Sequence, residues 1–296
     1  MSKFGRRRSL RPVLAGGALV VALLAAFLVA PVRSAAVGLF DVFRVERFAL
    51  ITVDTSKLPV KMHSSDRKMH DGEAEPDLNA FGTYTGPTRL EKPERVASLA
   101  AASERVNSKL ATAGDVLEGF KANEVYVTRP VQASYTFDVD KMRQKIAASG
   151  LQGVKAPEQL DGKTFTLNVD EGVLVRYGTE ENGAVFAQGP SPELTIPEGV
   201  NMNYLRQDFL LIPGLPADLV AQVQEIEDWQ RTLIIPVPAN GSSQEVRING
   251  AEGVLISSAD GKANGVLWQR DGRLYAIGGT LTSEQVLGAA RAVQYP

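Results

Sequence analysis

The residues predict an α+β protein in which an N-terminal transmembrane helix precedes antiparallel sheets of meander hairpins packed with several helices. Three observations carry that expectation. A charge-free apolar run opens the chain, short alternating segments punctuated by Asn-Gly and Asp-Gly recur through its second half, and apolar residues at helical spacing gather in separate groups. Hairpin links with segregated helices are the mark of an antiparallel α+β layout.

The opening run, Val13 to Ala30, holds eighteen positions without a charge behind Lys3, Arg6, Arg7, Arg8 and Arg11. About 18–20 apolar residues cross bilayer hydrocarbon as a helix, and flanking cations hold their end in the cytoplasm. Residues 1–36 therefore read as a membrane anchor or a signal segment. Small residues at Ser34, Ala35 and Ala36 offer a cleavage site, yet the run exceeds the usual signal core of about 7–15 residues, so retention is expected. Of 32 basic residues, six lie in this segment, leaving 26 against 34 acidic ones, a formal −8 for the exported body. That balance argues against nucleic acid as a partner, since such binding relies on clustered Lys/Arg. Cysteine is absent, which excludes disulfides, thiolate metal sites and lipid attachment through a lipobox cysteine.

Residues 37–54 form a juxtamembrane segment and a first strand, the strand falling in its second half. The first half alternatively lies along lipid headgroups with its aromatic residues inserted. Residues 55–93 are polar, rich in Asp, Glu, Gly and Pro, and read as a linker or long surface loop. The body spans 94–296, and a division into two subdomains, if there is one, falls near 197–243. A helix is expected from about Glu94, with Pro93 at its start and Val96, Leu99, Ala100, Val106 and Leu110 on one side.

From Asn123 a strand runs on to Phe137 with a break at Pro130, and Asp138 caps a helix carrying Met142 and Ile146 that stops at Gly150. Three meander strands follow, turning at Asp170-Glu171-Gly172 and Asn182-Gly183. Between Pro197 and Pro238 two helices are expected, one around Leu205 to Leu210 and one opened by Pro216. Four antiparallel strands come next, separated by Asn249-Gly250, Asp260-Gly261 and Asp271-Gly272. Thr282 and Gln285 make a capping box for a final helix with Val286, Leu287, Ala290 and Val293 as its apolar stripe.

That C-terminal stretch, VRINGAEGVLISSADGKANGVLWQRDGRLYAIGGTLTSEQVLGAARAV, resembles an uncharacterised bacterial family of extracytoplasmic domains in membrane-bound proteins, some related to sigma-factor regulation. The likeness rests on Trp268 before an Asp-Gly turn, on LYAIGG and on the closing Ser/Thr-Glu helix, over about fifty residues. A more distant fold-level likeness is to the half-barrel of periplasmic lipoprotein carriers and of the sigma-E regulatory protein. The family brings no catalytic residues to transfer. The short stretch ahead of the apolar run leaves no room there for a cytoplasmic sigma-binding domain, so a partner protein would do that binding.

Candidate chemistry is sparse. Lys61-Met62-His63 recurs as Lys68-Met69-His70, followed by Asp71, Glu73, Glu75 and Asp77. Thioether with imidazole suits copper, and imidazole with carboxylate suits zinc or nickel. A solvated loop is nonetheless the expectation for Met62, His63, Met69 and His70, because a polar segment would have to be ordered by the metal itself. These are the only two histidines, so a Ser-His-Asp arrangement would have to draw its base from this loop. Asp170 with Glu171 and Glu225 with Asp228 are carboxylate pairs that read as solvated charge rather than as an acid and base. Trp229 and Trp268 line either an apolar ligand groove or, as expected of aromatic residues in such places, the core. Asn240-Gly241-Ser242 matches a glycosylation acceptor and reads as a turn.

The sequence thus points to a noncatalytic, membrane-tethered extracytoplasmic domain, without a cofactor, that senses or binds a protein partner at the envelope. A carrier or sensor of lipid is the alternative, and an exported hydrolase the third class.

Overall fold

The computed structural model describes residues 42–44, 47–53, 79–88, 90–113, 122–149, 153–179, 182–211, 215–227, 232–238, 242–258 and 260–296. The apolar run and the Met/His repeat lie outside these residues. Among the described residues, no helix is long and apolar enough to cross a membrane.

The chain builds mostly antiparallel sheets with five helices among the described residues, an α+β arrangement. Its elements in order are β1 Val42–Arg44, β2 Arg47–Val53, β3 Gly82–Thr85, β4 Glu94–Val96, α1 Leu99–Arg105, β5 Ala122–Val127, β6 Val131–Phe137 and α2 Val139–Ser149. There follow β7 Thr164–Val169, β8 Val173–Gly178, β9 Gly183–Pro190, β10 Glu193–Thr195, α3 Met202–Leu210 and α4 Ala217–Glu225. Last come β11 Thr232–Pro238, β12 Ser242–Ile248, β13 Ala251–Ser257, β14 Asn264–Arg270, β15 Arg273–Gly279 and α5 Ser283–Arg291. Eight strands form one sheet in the order β12-β13-β14-β15-β9-β8-β5-β4, five form a second in the order β1-β10-β7-β6-β3, and β2 pairs with β11 in parallel.

Each face of the eight-stranded sheet carries an apolar cluster, built where alternate residues of its central strands are aliphatic or aromatic. On one face Val175, Phe186, Val266, Trp268, Tyr275 and Ile277 meet Ala102 of α1 and Val286, Ala289 and Ala290 of α5. On the other, Leu174, Ala187, Val254, Leu267 and Ala276 are joined by Phe48 of β2. The neighbours of Phe48 on that strand, Ala49 and Ile51, point instead into a second core. There they meet Phe137, Phe165, Val139, Met142, Leu205, Leu219 and Val223. Strand alternation in β2 thereby ties the two cores together, and both draw residues from early and late parts of the chain.

The four antiparallel C-terminal strands and the Thr282 capping box match the sequence expectation. Asn249 and Gly250 both take positive φ, as a two-residue turn with the twist of its strands requires. Asp138 caps α2 by accepting from the Lys141 N–H.

Four local expectations are corrected. No helix starts at Glu94: residues 94–96 are a strand, and α1 begins after Ser98, whose hydroxyl accepts from the Ala101 N–H. The apolar recurrence was real, since Val96, Leu99, Val106 and Leu110 all pack on one core, but strand, helix and coil share it. The polar stretch 55–93 contributes β3, which pairs with β6. The region between Pro197 and Pro238 holds the two expected helices, α3 and α4, but its last part, 232–238, is the unforeseen strand β11. Pro236 and Pro238 share a parity, so both missing N–H groups fall on one side of the strand.

The fourth correction concerns Asp170-Glu171-Gly172, which is not a hairpin turn. Strands β5 and β8 pair from Ala122 to Val127, and β6 and β7 continue the same register from Val131 to Thr136. One long ribbon therefore bends from the eight-stranded sheet into the five-stranded one, at Thr128–Pro130 on one side and Asp170–Gly172 on the other. The Thr128 N–H donates to the Gly172 carbonyl at 2.8 Å, and the Gly172 N–H to the Thr128 hydroxyl at 2.7 Å, which holds the bend closed.

Candidate functional site

Trp268 stands at the centre of an aromatic ladder created by strand register. It faces Tyr275 across β14 and β15, while Phe186 on β9 lies opposite Ile277. The rings of Trp268 and Tyr275 stack at 5.6 Å, with Phe186 at 6.5 and 6.4 Å from them. Tyr295 meets Tyr275 edge-on at 5.3 Å and accepts a 2.8 Å hydrogen bond from Trp268 Nε1. Arg270 caps the ladder with its guanidinium 4.4 Å from the centre of the Tyr295 ring. Beside it, Arg273 Nη1 donates to Ser108 Oγ at 2.9 Å.

With Trp268 and Phe186 both fully buried, this ladder is core rather than the wall of an open groove. Burial also pushes the Tyr275 phenol above its ordinary value. Trp229, the other tryptophan, lies outside the described residues.

The remaining polar chemistry gathers at the ribbon bend. Arg105 of α1 reaches Glu94 of β4 at 2.9 Å and Glu171 of the bend at 3.1 Å, and Arg129, on the other side of the bend, reaches Glu94 at 3.1 Å and Glu91 at 3.7 Å. The hydrogen bond from Arg105 holds the Glu94 carboxyl below the usual range. Close by, Glu124 accepts from the Tyr126 hydroxyl at 2.7 Å and pairs with Arg95 and Arg176. The Tyr126 hydrogen bond is the largest cause lowering the Glu124 carboxyl, and it raises the Tyr126 phenol in return. Carboxylates stabilised in ionised form this way are poor proton donors near neutrality, so the cluster is suited to clamping α1 and β4 onto the bend.

Of the carboxylate pairs named from the sequence, only Asp170 with Glu171 falls wholly among the described residues. Glu171 is held by Arg105, Asp170 beside it is exposed, Glu225 is exposed on α4, and Asp228 lies outside the described residues. Met62, His63, Met69 and His70 also lie outside them. Among the described residues, no three His, Asp or Glu side chains group as a metal site.

Sequence reasoning missed Gln188. Its side chain, 4% exposed, donates to the Ala111 carbonyl and accepts from the Ala111 N–H, both at 2.8 Å, and so fastens the 110–113 segment over the sheet. The available signal was a polar residue on the same strand parity as Ala184 and Phe186. Nothing local could have shown the Arg105 to Glu171 contact, whose partners are 66 positions apart.

Searches of protein-family models, curated proteins and solved structures return no match to this chain.

Proposed function

We propose that this chain is a membrane-tethered, noncatalytic interaction domain, its acidic body outside the cytoplasm and its partner another protein of the envelope. The observation that carries the reading is the packing of the chain's own side chains against both faces of the eight-stranded sheet. A carrier of lipid needs one sheet face left concave and open, and here α1 and α5 pack on one face while Phe48 of β2 packs on the other. Recognition is then left to exposed surface, strand edges and loops. The pairing of Glu94, Glu124 and Glu171 with arginines supports a noncatalytic role, since each carboxylate is committed to holding structure.

The anchor is argued from Val13 to Ala30 and the basic residues before it. Photo-crosslinking from surface positions in intact cells, followed by protease shaving, tests the whole proposal. The expected outcome is a discrete crosslinked envelope protein and digestion of the body from outside. Lipid copurifying with the body freed of residues 1–36 in native mass spectrometry would overturn it in favour of a carrier. A body protected from external protease would overturn the topology.

A further inference from the structure

The two ends of the eight-stranded sheet are finished differently. At one end β4 has three residues, and Arg95 on it is tied to Glu124 of the neighbouring strand. At the other, β12 runs for seven residues, and no described strand pairs with its outer side. An edge of that length displays a row of unpaired N–H and C=O groups, a template for another strand.

The geometry points to a second copy of this chain as the occupant, joined by antiparallel pairing of β12 with β12. Asn249-Gly250 closes a two-residue hairpin in which Ile248 faces Ala251, a hydrogen-bonded pair. Even-numbered residues of β12 therefore bond inward to β13. Ser243, Glu245 and Arg247 direct their backbone groups outward.

Two such edges brought together about a two-fold axis can pair only in registers that set odd residues opposite odd residues. Centring the axis on Val246 places Glu245 opposite the partner's Arg247, and symmetry repeats that pair. Both side chains are exposed and lie on one face of the strand. Centring it one residue earlier sets Glu245 against Glu245, which repels. Alternating charge on an edge ordinarily discourages foreign strands, yet here it is matched by its own image, so the copy is favoured over a strand of unrelated sequence. Val246 and Ile248 pack against the sheet core and fix the edge to it. This association stands apart from the proposed envelope role and neither requires it nor follows from it.

The absence of cysteine makes the test specific. In the full chain in detergent, Val246→Cys supplies the one thiol per molecule. Opposed non-hydrogen-bonded residues sit about 4.5 Å apart between Cα atoms, within disulfide reach. Mild oxidation is expected to give a dimer of twice the mass, with Glu245→Cys linking at least roughly tenfold more slowly because its nearest copy lies on the diagonal. Native mass spectrometry of the unmodified chain should show the dimer. Glu245→Arg should weaken it by about tenfold or more, and the exchange Glu245→Arg with Arg247→Glu should restore it.

A monomer at about 100 µM overturns the inference, for opposite-charge pairs on a paired edge would register at that concentration. So does faster linking at Glu245→Cys than at Val246→Cys, or an exchanged variant that stays monomeric. A different protein held on β12, with the unmodified chain monomeric, would replace the copy as occupant.

Discussion

Gln188 shows how one residue can decide where a loop lies. Its amide satisfies both backbone groups of Ala111, a residue itself buried, at a place where water cannot substitute. Replacing it with leucine preserves bulk but orphans a donor and an acceptor, each costing about 1–3 kcal/mol when buried, so Gln188→Leu should lose about 2–5 kcal/mol in urea unfolding. Hydrogen exchange should quicken at Ala111 and at Thr112, whose N–H donates to the Gln294 carbonyl at 2.9 Å. Unchanged stability would mean that the 110–113 segment is held by its apolar contacts alone.

Among the elements, α5 is the best specified from end to end. Thr282 accepts from the Gln285 N–H at 3.2 Å while the Gln285 side chain accepts from the Thr282 N–H at 2.9 Å, which satisfies two groups that the helix start leaves open. Its apolar stripe then covers β14 and β15 through Val286, Ala289 and Ala290. Thr282→Ala should cost about 1 kcal/mol, read from the thermal unfolding midpoint, with Thr282→Ser recovering most of it. A loss several times larger would show that the cap also sets how the helix docks.

Across the molecule, the bend of the long ribbon joins two sheets, and the charged cluster beside it makes the joint sensitive to acid. Glu94 and Glu124 have carboxyl groups held below their ordinary values by the side-chain hydrogen bonds from Arg105 and Tyr126, and away from the bend, between β13 and β14, Asp260 is lowered by that from Ser258. A depressed folded-state value means that these groups add stability above the unfolded value, 4.5 for the glutamates, and that this is lost as pH falls through the folded value. Unfolding measured from about pH 6 down to about pH 3 should therefore show declining stability, and Glu94→Gln with Glu124→Gln should flatten the slope. An equally steep decline in that variant would place the acid sensitivity elsewhere.

The elements written most plainly in the residues were those whose signals are local. Strands β12 to β15 alternate cleanly between Asn-Gly and Asp-Gly turns, and α5 carries its own cap, so the fold class and the C-terminal half were legible. Strand β11 was hidden by Pro236 and Pro238, and β4 by apolar residues that mimic a helical stripe. The Asp170-Glu171-Gly172 segment has the composition of a turn and instead carries a strand from one sheet to the other.

Which strands share a sheet was decided by the tertiary structure alone, since a ribbon of unbroken register can bend between two cores without any change in its local pattern. The same holds for the bend cluster and for Trp268, whose residue type suits a ligand wall as well as a core. Propensity and alternation act over a few neighbouring positions, and these determined the strands, turns and caps. Sheet membership, burial and charge pairing depend on residues far apart in the chain that meet only when the whole body packs.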